Sequence, residues 1–157
     1  MSLCLGPSTI IGTITTAILG TMSPDQVKTY VGVNIEPYDS HQLDFKEPIG
    51  SFGVEWDVHK NVRLFAEHFS TPVRCDDHPG VNHAGVKFLA PLSPDLTVYS
   101  GISLNNSKFD SNDNFDGPLG SIGIEYGNDL KLFAEHLSSI KEFEGGRTSL
   151  GLKVFFK

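Results

Sequence analysis

Two triplets in this chain place an imidazole two residues before a hydroxyl: His68-Phe69-Ser70 and His136-Leu137-Ser138. A serine becomes nucleophilic when a neighbouring base takes its proton, and a third group must hold that base in place. On a strand, positions two apart share a face, so His68 and Ser70 could act together at a strand end. The acids Glu55, Glu67, Glu125 and Glu135 could do acid–base work. The bases Arg63, Lys87, Lys131 and Lys153 stand at matching places, which favours a structural ion-pair lattice. Cys75, Asp76, Asp77, His78 and His83 are metal-ligand types, but their spacing fits no standard zinc pattern. Asp110, Asp113 and Asp116 read as a solvated loop with weak calcium potential. No metal and no cofactor is expected, and no glycine-rich phosphate loop is present.

The elements that must position these residues come in two copies. Pro48 to Trp56 aligns with Pro118 to Tyr126, and Val62 to Ser70 with Leu130 to Ser138; eleven of the eighteen aligned pairs are identical. The second copy is two residues shorter between its blocks. An even difference keeps strand parity, whereas a single residue would turn every side chain to the other face. A period this long points to two halves of one closed domain.

Period-two alternation dominates from Val27 onward. It predicts eight strands, at about 27–35, 49–58, 61–70, 83–90, 95–104, 119–126, 129–138 and 147–156. Tight turns fall near His59-Lys60, Pro91 to Pro94 and Gly127-Asn128; long polar connections cover about 36–48, 71–82, 105–118 and 139–146. Short turns at one end and long loops at the other describe an all-β, eight-stranded antiparallel up-and-down barrel. The repeat halves are about 27–90 and 95–157. A chain of 157 residues with 16 glycines and 39% hydrophobic content suits one such domain. The net charge of -7 argues against nucleic-acid recognition.

The strands carry one apolar face. The other face carries the charges, Tyr30, Tyr99 and many glycines. An eight-stranded barrel is just wide enough inside for side chains to fill. Balanced charges packed there would satisfy one another and leave the apolar face outward, with Trp56, Tyr126 and Phe156 near strand ends where interfacial aromatics belong. The alternative inverts the barrel: a soluble fold with an apolar core that binds a ligand or decorates an assembly. On its alternating strands, short turns and long loops, residues 27–157 resemble the small outer-membrane β-barrel proteins. That resemblance implies a non-enzymatic barrel whose partner is outer-membrane lipid or lipopolysaccharide.

A narrower resemblance rests on Glu67-His68-Phe69-Ser70 and the downstream Asn82-His83. This segment is similar to the His-x-Ser site of the lipid A deacylase barrels, which implies an acyl hydrolase using Ser70 and His68 with a loop acid such as Asp77. Thr71 and Asn82 depart from that pattern. The repetition of the pair at His136 and Ser138 points instead to a structural role at strand ends.

Residues 1–26 form an apolar N-terminal arm with no charge before Asp25. A secretory signal has a basic leading region, and none is recognisable here. The arm is expected to be mobile or self-packing, or else to dock on a partner, giving a homo-oligomer or larger assembly. A membrane-type barrel without an export signal is expected to be virion-associated, as a phage-borne component, or to reside in the outer membrane.

Overall fold

The computed structural model describes residues 27–39, 48–70, 81–105, 118–140 and 146–156. The N-terminal arm of residues 1–26, the oligomer contacts expected of it, and the candidates Cys75, Asp76, Asp77, His78, Asp110, Asp113 and Asp116 lie outside the described residues. Eight strands follow one another: β1 (Val27–Asp39), β2 (Ile49–His59), β3 (Val62–Ser70), β4 (Val81–Pro91), β5 (Leu96–Asn105), β6 (Pro118–Gly127), β7 (Leu130–Ser139) and β8 (Arg147–Phe156). Each pairs antiparallel with the next, and β8 returns to β1, so the sheet closes in sequence order. Closure leaves no open edge to pair with another chain.

The strands differ from the periodicity mainly in β1. It was expected to end near Ile35 and runs to Asp39 instead. A register shift after Ile35 brings Tyr38 opposite Thr148 and Asp39 opposite Arg147, so the ladder to β8 continues beyond the alternating stretch. Alternation is lost at such an irregularity although pairing is not.

The short turns are tied to one another by backbone bonds. Asn61 accepts from Leu89 N and its side chain donates to Leu89 O, each at 2.8 Å. Gly127 N donates to Asp95 O, and Phe155 N to Asp129 O, also at 2.8 Å. Gly127 has a φ of 108°, a conformation that side chains disfavour, and this lets β6 turn tightly into β7.

Parity sorts the side chains. Val31, Val33, Phe52, Phe88, Ile102, Leu104, Ile122, Leu132 and Leu150 face outward and stay exposed, with Ile122 at 60%. The inward face is buried and polar: Glu55, Glu67, Lys87 and Tyr30 are each 2% exposed. The inverted arrangement, with the aliphatic face as a core, is therefore not the one this chain adopts. A soluble monomer rarely shows a contiguous apolar surface beyond a few hundred Å².

Inside, large and small residues oppose each other across strand pairs. Tyr30 faces Gly53, Phe65 faces Gly85, Tyr99 faces Gly123 and Phe133 faces Gly151. A Cβ on Gly53 would lie 2.7 Å from the Tyr30 hydroxyl and 2.6 Å from Ala66 O. Glycine is therefore what admits the ring at that height, an aromatic side chain covering a bare backbone.

Candidate functional site

The lumen is built from the face that carries the charges. Glu55, Glu67, Glu125 and Glu135 meet Arg63, Lys87, Lys131 and Lys153, and all eight are buried. Four acids against four bases leave this set neutral. Arg63 is the branching point: its Nη1 lies 3.0 Å from Glu55 Oε2 and 2.7 Å from Glu125 Oε1, and its Nε 2.6 Å from Asp57 Oδ1. Lys131 reaches the same two glutamates, at 2.9 Å for Glu125 and 3.9 Å for Glu55. Lys87 sits 3.0 Å from Glu135, and Lys153 lies 3.6 Å from Glu67 and 3.5 Å from Glu55. At the rim near the short turns, Asp57 also pairs with Lys28 at 3.7 Å.

Under the alignment of the two sequence blocks, these contacts map onto one another. Arg63–Glu55 corresponds to Lys131–Glu125 and Arg63–Glu125 to Lys131–Glu55; Lys87–Glu135 and Lys153–Glu67 form a similar pair, their lysines standing outside those blocks on β4 and β8. The ammonium groups are also sandwiched by rings. Lys87 Nζ lies 4.2 Å from the centre of Tyr99, and Lys153 Nζ lies 4.2 Å from that of Tyr30. Lys131 Nζ is 4.9 Å from the Phe155 centre. A desolvated cation over a ring is worth about 2 kcal/mol, which offsets part of the cost of taking the charge out of water.

Tyr30 and Tyr99 were expected on this face, whereas Phe65, Phe133, Leu89 and Phe155 are lumen residues that the sequence reading did not single out. Phe65 lies between Arg63 and Glu67, Phe133 between Lys131 and Glu135, and Leu89 and Phe155 two residues after Lys87 and Lys153. Strict parity alone would have placed them inside. Their apolar character alone would put them on the opposite face.

The histidines of the two His-x-Ser segments lie on the outer face near the long-loop end. His68 Nδ1 is 2.9 Å from Asn82 Oδ1, its cross-strand partner on β4. An amide oxygen accepts, so Nδ1 donates and Nε2 is left as the basic nitrogen. The ring also packs at 5.0 Å against Phe52. Ser70 ends β3 opposite Gly50, while its side chain lies outside the described residues, as does Asp77. His136 repeats the arrangement, with Nδ1 3.0 Å from Thr148 Oγ1. There the ring lies against the backbone of Gly146, where a Cβ would collide with Nε2 and Cε1. That contact makes His136 a packing group.

His83, considered above as a metal ligand, points into the lumen instead. Its Nε2 lies 3.3 Å from Glu67 Oε2, and its ring stacks at 4.8 Å on Phe69. Among the described residues no group of three or more His, Cys, Asp or Glu could hold a metal ion.

No protein-family model matches the chain, and a search of the curated proteins finds no match. Among solved structures it is similar to a de novo designed transmembrane β-barrel, at 18% identity and a TM-score of 0.51, covering 86% of this chain and 98% of that one. The solution structure of the designed barrel TMB2.3 matches at 14% identity and a TM-score of 0.51, covering 84% of this chain and 94% of that one. The N-terminal β-barrel domain of Pseudomonas aeruginosa OprF matches at 12% identity and a TM-score of 0.45, covering 82% and 97% of the two chains. The likeness to the designed barrels is one of fold, and it agrees with the closed order of eight strands observed here.

Proposed function

We propose that this chain is a membrane-spanning barrel of the outer-membrane type with a plugged lumen and no catalytic role, built from two duplicated halves. One observation carries the reading: the outward face is aliphatic while a neutral set of eight charged side chains is buried inside. Withdrawing a half-exposed Val, Ile or Leu from water is worth about 1 kcal/mol, and the belt presents many of them. A lipid environment collects that gain, whereas a water-soluble barrel would forgo it. Tyr126 and Phe156, exposed at the short-turn end with half-buried Trp56, fit the headgroup level of one leaflet. Crowded side chains fill the lumen, so one chain should pass no large solute.

The test is gel migration before and after boiling, with the chain offered detergent, lipid vesicles or buffer alone. Faster unboiled migration and β-type circular dichroism only in detergent or vesicles supports the reading. A folded, monodisperse chain in buffer, indifferent to detergent, overturns it.

A second reading is favoured by the His68–Asn82 bond, which orients the ring as an acyl hydrolase base would need. In that reading Ser70 attacks an acyl ester of lipid A at the membrane surface. Mass spectrometry of lipid A after incubation with the chain decides it, with Ser70→Ala as control. Unchanged acylation by the unmodified chain removes it.

A further inference from the structure

The lumen is not uniform along its axis. Around the lattice the inward positions hold Tyr, Phe, Lys, Arg and Glu. Towards the long loops the next inward positions hold Asn34, Ser51, His83, Ser103 and Ser149, all buried. The number of strands sets the barrel's girth. Serine and asparagine fill less of a lumen of constant girth than rings and long charged chains do, although Phe69, Glu67 and Glu135 reach the same level opposite Ser51, His83 and Ser149. Ile49 and Leu119, at 9% and 3% exposure, also point inward here, opposite Asn34 and Ser103, and line the layer with apolar surface.

Three side chains of this layer have polar atoms with no hydrogen-bond partner: Asn34 Oδ1, Ser51 Oγ and His83 Nδ1. Their residues are 2%, 6% and 5% exposed. His83 Nε2 faces the Glu67 carboxylate, which can only accept from it, so Nδ1 accepts when the ring is neutral and donates when it is charged. Asn34 Oδ1 is an acceptor as well, and Ser51 Oγ can take either role. Water, which both donates and accepts, can partner all three. Each such atom left dry costs about 1–3 kcal/mol, and a buried water that makes about three bonds removes that cost. Register places the first two together. Asn34 lies opposite Ile49 and Ser51 opposite Gly32, so Asn34 and Ser51 are diagonal neighbours on adjacent strands. His83 closes the layer from β4, across Phe69.

We infer that the loop-side part of the lumen holds ordered water, hydrogen-bonded to Asn34, His83 and Ser51 beside the charge lattice and bordered by Ile49 and Leu119. On its other side stands the lattice, whose ion-paired side chains occupy the lumen. The inference depends only on inward side chains and stands whatever medium surrounds the barrel.

Oxygen-17 magnetic relaxation dispersion, on the full chain in the medium that keeps it folded, counts waters held longer than the barrel tumbles. The expected result is a clear internal-water dispersion that falls by roughly half or more in Asn34→Leu/His83→Leu, the positions that supply two of the three unpartnered atoms. Ser51→Ala, a smaller change, should lower it in part while gel migration stays that of the folded barrel. A high-resolution crystal structure gives an independent reading, with water density expected within about 3 Å of Asn34 Oδ1 and His83 Nδ1. Absence of dispersion in the unmodified chain overturns the inference. So does density showing a loop side chain, and no water, donating to these atoms.

Discussion

Removing Arg63 should be the most damaging single change in the lumen that leaves the backbone untouched. Arg63 holds Glu55 and Glu125 together at 3.0 and 2.7 Å, and Arg63→Met changes the neutral lattice to a net charge of one negative unit. Breaking a buried ion pair from one side costs about 3–5 kcal/mol, because the orphaned charge stays buried. Lys131 remains 2.9 and 3.9 Å from the same two carboxylates and offsets part of this. The Asp57 contact adds little, since that side chain is 34% exposed. The expected loss is therefore near the lower bound, about 3 kcal/mol, or somewhat more than a hundredfold in the folding equilibrium. The chain has a single tryptophan, Trp56, whose fluorescence can follow urea unfolding. The midpoint should fall with the slope unchanged, the mark of lost stability at constant buried surface. Adding Glu125→Gln restores neutrality, so the double variant should be more stable than the sum of the singles predicts. A loss below about 1 kcal/mol, the range of solvent-screened pairs, or strict additivity of the two changes, would refute the reasoning.

Gly53→Val should destabilise the barrel by about 1–3 kcal/mol, since its Cβ alone would lie 2.7 Å from the Tyr30 hydroxyl; the same urea titration checks it. Ile122→Arg tests the outer face: at the middle of a bilayer the charge costs about 2–4 kcal/mol, whereas at a water-facing position the change stays within about 0.5 kcal/mol. Gly127→Ala should cost about 1–3 kcal/mol, through its φ of 108° and a Cβ that would collide with Leu130 O, read as a lower unfolding midpoint. Asn82→Leu should free the His68 ring from its 2.9 Å bond; proton resonances of that imidazole should then lose the Nδ1–H signal, while those of His136 stay unchanged.

How much of this was legible beforehand depends on the residue. Period-two alternation is a local property of the backbone, so the strands, the closure and the two faces could be read without any tertiary information. Internal repetition added the equivalence of Glu55 with Glu125 and of Glu67 with Glu135. The course of β1 beyond Ile35 was not legible, because a register shift breaks the alternation that signals a strand. The role of Phe65 and Phe133 was obscured for a different reason. A ring on a charged face looks misplaced until its cross-strand glycine is known, and register belongs to the pairing of strands, not to either strand alone. The same limit applied to His68, whose partner Asn82 lies fourteen residues away across the β3–β4 ladder.

Composition and periodicity by themselves determined that this chain makes eight amphipathic strands with opposed faces. Only the closed sheet decided which face is inside, because parity defines two faces and does not name them. Closure also decided which charges meet. Arg63 and Glu125 are separated by 62 residues along the chain and by 2.7 Å across the lumen. A narrow barrel is the reason: it brings residues from all eight strands within side-chain reach of one axis, so pairing is set by height along that axis and not by order in the sequence.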